Sequence, residues 1–134
     1  MNKKTLKSIG AVLAGALASI VVTMGTDAVL QAIGVFPPSS QPPRDAPLLL
    51  ATVYRAIYGV AGSYLTARLA PDRPMQHALT LGALGTAIGI VGVVVTWGQA
   101  SVVGHEWYPL ALAALGMPQS WLGGVLYRRT QAER

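Results

Sequence analysis

The chain has 134 residues, 52% of them hydrophobic and only 11% charged, with a mean hydropathy of +0.48, a formal net charge of +5 and no cysteine. Ordinary globular domains carry about 25% charged residues, so this composition argues against a typical water-soluble surface and points to a membrane protein. Disulfides and thiol chemistry are excluded within the chain.

Four stretches are apolar and long enough to cross a hydrocarbon core of about 30 Å, which takes about 20 helical residues. They cover about residues 8–35, 47–69, 75–97 and 106–127 and predict one all-α domain, an integral membrane four-helix bundle of up-down-up-down order. Their continuous apolar character argues against a β-barrel, whose strands alternate. The first span follows Lys3, Lys4 and Lys7 and contains Ala16-Leu17-Ala18, which looks like a cleavable secretory signal. The apolar run continues well past Ala18, however, and so predicts a retained helix. Ala11, Ala14, Ala18, Val21, Gly25, Ala28 and Ala32 form its expected packing seam, and Asp27 interrupts it. The connection that follows, with Pro37, Pro38, Pro42, Pro43 and Pro47, is expected to be extended and stiff.

The second span carries the polar chemistry. Thr52, Arg55, Gly59, Gly62 and Thr66 share one seam, and Tyr54, Tyr58 and Tyr64 add phenols on neighbouring faces. An arginine facing lipid costs about 2.5–3.5 kcal/mol on insertion scales, so Arg55 is expected to face the bundle. In the third span Ala78, Gly82, Gly85, Gly89, Gly92 and Thr96 recur at alternating steps of four and three, the spacing of a close helix pair. Such a surface serves packing within the chain or oligomerisation. Pro118 lies in the middle of the fourth span and is predicted to kink it, freeing a carbonyl that Gln119, Ser120, water or a neighbour would satisfy.

Basic residues set the expected orientation. Lys3, Lys4, Lys7, Arg68, Arg73, Arg128, Arg129 and Arg134 fall on one side of such a bundle, and Arg44 on the other. With an even number of spans, the positive-inside rule places both termini in the cytoplasm, as a multi-pass protein of the inner (plasma) membrane. The positive charge then reflects topology and contact with anionic lipid head groups, because it is dispersed over three segments beside membrane ends; nucleic-acid binding is not expected. Trp97, Trp107 and Tyr108 at the outer ends, with Trp121 and Tyr127 near the inner one, fit the same frame.

An ionisable residue inside a span is a functional-site hypothesis by default, and Asp27 and Arg55 are each other's evident partners. Counted from helix ends at Val35 and Pro47, both lie about 12 Å below the outer surface, where a guanidinium can hold a carboxylate through two parallel bonds. Such a pair serves as a lock between two helices or as a ligand or proton site. A first helix ending near Thr26 would instead leave Asp27 at the interface. His77 and His105-Glu106 fall on opposite sides of the membrane without metal-ligand spacing, so no metal, cofactor or catalytic constellation is expected.

Multidrug-resistance transporters of four helices are similar in size and carry an acid in the first helix, but the strong inside bias and the presence of Arg55 depart from that pattern. Fluoride channels are rich in phenylalanine and asparagine at their sites, whereas this chain has one of each. Gly25-Thr26-Asp27, Gly34-Val35-Phe36-Pro37-Pro38, Tyr54-Arg55 with Tyr58, Thr66-Ala67-Arg68-Leu69-Ala70-Pro71, Trp107-Tyr108-Pro109 and Trp121-Leu122-Gly123-Gly124 resemble stretches of a group of small bacterial four-helix inner-membrane proteins. That resemblance covers most of the chain and implies the class, with no assigned activity. Three functional expectations follow. The first is a packing or interaction protein that meets itself, as a homo-oligomer, or another membrane protein. The second is a carrier or channel for a small solute or ion, using Asp27 and Arg55 with Thr52, Tyr54, Tyr58 and Thr66 lining the site. The third, an enzyme acting through Glu106 or His105, lacks a visible nucleophile and base.

Overall fold

The computed structural model describes residues 2–36, 44–99 and 104–132, and within them the chain is four α-helices with no strand. They are α1 (Lys3–Ala32), α2 (Asp45–Leu69), α3 (Pro74–Thr96) and α4 (Trp107–Ala132). The proline-rich connection from Pro37 to Pro43, its expected stiffness, and Arg134 lie outside the described residues.

Local chemistry explains the helix ends, and several differ from the expected bounds. α1 starts earlier because the Asn2 side chain caps it, accepting the Thr5 N–H at 2.8 Å. It ends before Val35, because Gly34 adopts the left-handed conformation (φ 84°). The Gly34 and Val35 N–H groups then fold back onto the Gln31 and Leu30 carbonyls at 3.2 and 2.9 Å. α2 begins at Asp45, so Pro47 belongs to its first turn and not to the connection. A missing N–H is harmless there, since first-turn amides have no acceptor within the helix. Pro74 opens α3 after Arg73, which is itself left-handed at φ 43°. α4 continues on both sides of Pro118 and extends beyond the expected Tyr127.

Successive helices run antiparallel, so α1 and α3 start at one end and α2 and α4 finish there. At that end Lys4 Nζ meets Asp72 Oδ2 at 2.6 Å, Ser8 bonds the His77 ring at 2.9 Å, and Tyr64 lies 3.5 Å from the Thr130 hydroxyl. α2 and α3 each pack on all three other helices, whereas α1 and α4 do not pack on each other.

Small residues set how closely the helices approach. A Cβ added at Gly62 would stand 2.7 Å from the Gly15 carbonyl oxygen, so α1 and α2 are in backbone contact there. The Thr66 hydroxyl donates to the Ala11 carbonyl at 2.9 Å and that of Ser19 to the Tyr58 carbonyl at 3.1 Å, sealing the crossing on both sides. The α1 seam is therefore Ala11, Gly15 and Ser19 at steps of four, a small-xxx-small line. The expected continuation through Val21, Gly25, Ala28 and Ala32 is corrected, because those residues are exposed and it is Thr26 and Asp27 that meet α2 in this stretch.

The α3 seam is corrected in the same way. Gly82 packs on Ser120 and the Gly116 carbonyl, and Gly89 stands against Ala113. Between them it is Thr86, not Gly85, that faces Gly116, so the line keeps to one side of α3 while Gly85 and Gly92 face open space. α2 meets α4 through the Ser63 and Ser120 hydroxyls at 3.0 Å and through Gly123, which lies against the Val60 carbonyl. The largest fully buried side chains are accordingly Thr66, Ser63 and Ser120, while Leu13, Leu17, Ile88 and Val94 point outward. This inversion of a water-soluble core is the arrangement expected where lipid tails are as apolar as leucine. α1, α2 and α3 are long and apolar enough to cross a membrane. α4, with 26 residues, is long enough, but Pro118-Gln119-Ser120 dilute its apolar character.

Candidate functional site

The site is built where the last two turns of α1 meet the first half of α2. Consecutive polar residues on α1, Thr26 and Asp27, face a helical pair on α2, Tyr54 and Tyr58, with Arg55 beside them. Asp27 Oδ2 accepts an N–H from Arg55 Nη2 at 2.6 Å, and Asp27 Oδ1 accepts the Tyr54 hydroxyl. The expected two parallel guanidinium bonds are thus not formed. Tyr54 takes the second carboxylate oxygen, and Arg55 Nε, although buried, has no partner among the described residues. One turn along, the Thr26 hydroxyl donates to its own helix at Val22 O (2.9 Å). That leaves its oxygen to accept the Tyr58 phenol at 2.8 Å.

Rings surround these charges. Phe36, Tyr54 and Tyr58 form a row with centroids 6.5 and 5.7 Å apart. The Arg55 guanidinium carbon lies 5.9 Å from the centre of the Tyr108 ring, in cation–π range. Tyr108 stands edge-on to Trp107, whose indole N–H donates to Asp45 Oδ1 at 3.1 Å; His105 Nε2 reaches the same oxygen at 3.1 Å. Helices α1, α2 and α4 therefore all contribute to the cluster, and α4 was not part of the sequence expectation. No spacing rule links Arg55 to Tyr108, and the sequence expectation did not bring them together.

The depth estimate changes as well. α1 ends at Ala32, so Asp27 lies about 8 Å from its end, while Arg55 lies about 15 Å along α2 from Asp45. The two side chains keep 31% and 33% of their exposure, so the pair is half-sheltered and not sealed in a core.

No family model, curated protein or solved structure matches this chain. Its function is therefore argued from geometry. Of the other expected lining residues, the Thr52 hydroxyl bonds its own helix at Leu48 O (2.9 Å). Thr66 lies at the α1–α2 crossing, about three turns from Arg55. Neither reaches the pair. At the opposite end His77 bridges the Arg73 carbonyl and Ser8 at 3.0 and 2.9 Å, far from His105. Glu106 accepts the Gly104 N–H at 3.2 Å just before α4 begins. Among the described residues no three His, Asp or Glu side chains gather as metal ligands.

Proposed function

We propose that this is a four-span protein of the bacterial inner (plasma) membrane with both termini in the cytoplasm, which acts by packing against a second copy of itself. α4 runs antiparallel along α3, with Gly124 against Met75, Ser120 against Gly82 and Ala113 against Gly89, which supports its sharing the depth of α3 and crossing with it. The ties of Lys4 to Asp72 and of Tyr64 to Thr130 support a single cytoplasmic end that gathers the basic residues beside anionic lipid head groups.

One observation carries the packing role. On α3 the glycines turned toward α4 are filled by that helix, while Gly85 and Gly92 have no atom within 4 Å of where a side chain would begin. A helix meeting that face can approach as closely as α4 does on the other side, and close approach drives association where apolar burial gains little. Because the chain has no cysteine, single introduced cysteines report the contact cleanly. Ile88→Cys on this face, 71% exposed, is expected to form disulfide dimers in native membranes under mild oxidation, and Gly85→Leu to suppress them. Met24→Cys on α1, 66% exposed, is expected to stay monomeric. Equal cross-linking at both positions, or none at Ile88→Cys, overturns the proposal.

A further inference from the structure

We infer that the Asp27–Arg55 cluster binds the head group of a zwitterionic phospholipid, one with both an ammonium and a phosphate, from the leaflet at the α1 C-terminal end. The inference rests on the membrane reading above. Access comes first. Asp27 and Arg55 retain 31% and 33% exposure, so both charges can be reached from outside the bundle.

Depth comes second. The 30 residues of α1 span about 45 Å, well beyond a hydrocarbon core of about 30 Å, so its ends project into the head-group layers. Asp27, about 8 Å from one end, then sits near the boundary of the hydrocarbon. Arg55 lies over Tyr108 in the first turn of α4, beside Trp107, and such aromatic residues favour that same boundary.

Chemistry decides the class. A carboxylate accepts about four hydrogen bonds, and Asp27 takes one from Arg55 and one from Tyr54. A guanidinium has five N–H donors in a fork suited to phosphate. One holds Asp27, leaving donors for an anion. On the Asp27 side Phe36 and Tyr58, both part-exposed, flank the buried Tyr54 ring and place aromatic surface within reach of a cation. A head group bearing phosphate alone would be opposed by Asp27, and one bearing ammonium alone by Arg55. A zwitterion with its ammonium toward Asp27 and its phosphate toward Arg55 satisfies both.

The test uses the full chain in detergent, offered a phosphoethanolamine lipid, a phosphoglycerol lipid and a diacylglycerol of matched acyl chains at equal concentration, with retention read by native mass spectrometry. The wild type is expected to keep the phosphoethanolamine lipid about tenfold over each of the others, the ratio given by roughly 1.4 kcal/mol of added interaction. Asp27→Asn is expected to abolish the preference over phosphoglycerol, and Arg55→Gln the preference over diacylglycerol. Lys4→Gln, at the other end of the bundle, is expected to change neither. Equal retention of the three lipids by the wild type overturns the inference, whether or not the variants fold, and so does a preference that survives both site variants. A chain that stays soluble without detergent and retains no lipid would instead defeat the membrane reading itself.

Discussion

The backbone contact between Gly62 and Gly15 gives a sharp test of how α1 is held. Replacing Gly62 with alanine puts a methyl group against Ser19 and 2.7 Å from the Gly15 carbonyl oxygen, where an ordinary contact begins at 3.4 Å. Backbone cannot yield as a side-chain tip can, so α1 must retreat by roughly 0.7 Å. That retreat stretches the Thr66–Ala11 and Ser19–Tyr58 hydrogen bonds, now 2.9 and 3.1 Å, out of good range. Polar contacts in membrane bundles average about 0.6 kcal/mol each, and overpacking adds about 1–3 kcal/mol. The better helix propensity of alanine returns about 1 kcal/mol. The net expectation is a loss of about 2 kcal/mol. Gly25→Ala on the same helix pair meets nothing within 4 Å, so it is expected to be neutral or stabilising by up to about 1 kcal/mol. Unfolding in mixed micelles of increasing denaturing detergent, followed by tryptophan fluorescence, measures both. Equal stability of Gly62→Ala and Gly25→Ala would refute the backbone contact.

Two further outcomes follow from the ion pairs. In a double-mutant cycle of Asp27→Asn and Arg55→Gln, the coupling is expected at about 0.6–1.7 kcal/mol, the range for membrane-embedded polar contacts; a value near zero removes the pair as a helix lock. At the opposite end the hydrogen bond from Lys4 holds the Asp72 carboxyl below its ordinary value of 3.8. A carboxyl lowered in the folded state contributes stability above the ordinary carboxylate range and loses it as pH falls through the lowered value. The contribution is small because both groups are solvent-exposed. Carboxyl titration by NMR should show Asp72 returning toward its ordinary value in Lys4→Gln, and an Asp72 that titrates identically in both proteins contradicts the bond.

The number and kind of helices were legible because long apolar runs and prolines are strong local signals. The helix ends were less so. The end of α1 depends on Gly34 turning left-handed, and the start of α2 on a proline tolerated in the first turn, both read too late by breaker position alone. Glycine spacing located the seams only in part. A repeat in one helix does not say where its partner crosses, and the partner of Gly62 is Gly15, which stood outside the regular alternation. The Asp27–Arg55 pairing was legible because they are opposite charges inside apolar runs on adjacent antiparallel helices, even though their distances from the helix ends, about 8 and 15 Å, differ more than the sequence count implied. The roles of Tyr54 and Tyr108 were not, since a shared carboxylate and a ring over a guanidinium are decided by side-chain direction across three helices.

The two ends of α1 are secured by different physics, which bears on what the charged cluster can do. Toward the amino terminus α1 is held by backbone contact at Gly15, by Ser8 on His77 and by Lys4 on Asp72, which engage α2, α3 and their connection. Beyond Ser19 that close packing stops. Val21, Val22, Met24 and Gly25 are exposed, and Thr26 with Asp27 supplies the side-chain hydrogen bonds to α2. Polar bonding there takes the place that packing fills below. Any ligand that draws Arg55 or Asp27 away from its partner therefore acts on the less securely held half of α1, while the Gly15–Gly62 crossing keeps the other half in place. A helix lock and the proposed head-group site draw in this arrangement on the same Asp27 and Arg55, whose bond holds α1 to α2 while their remaining acceptor and donor positions stay available to a ligand.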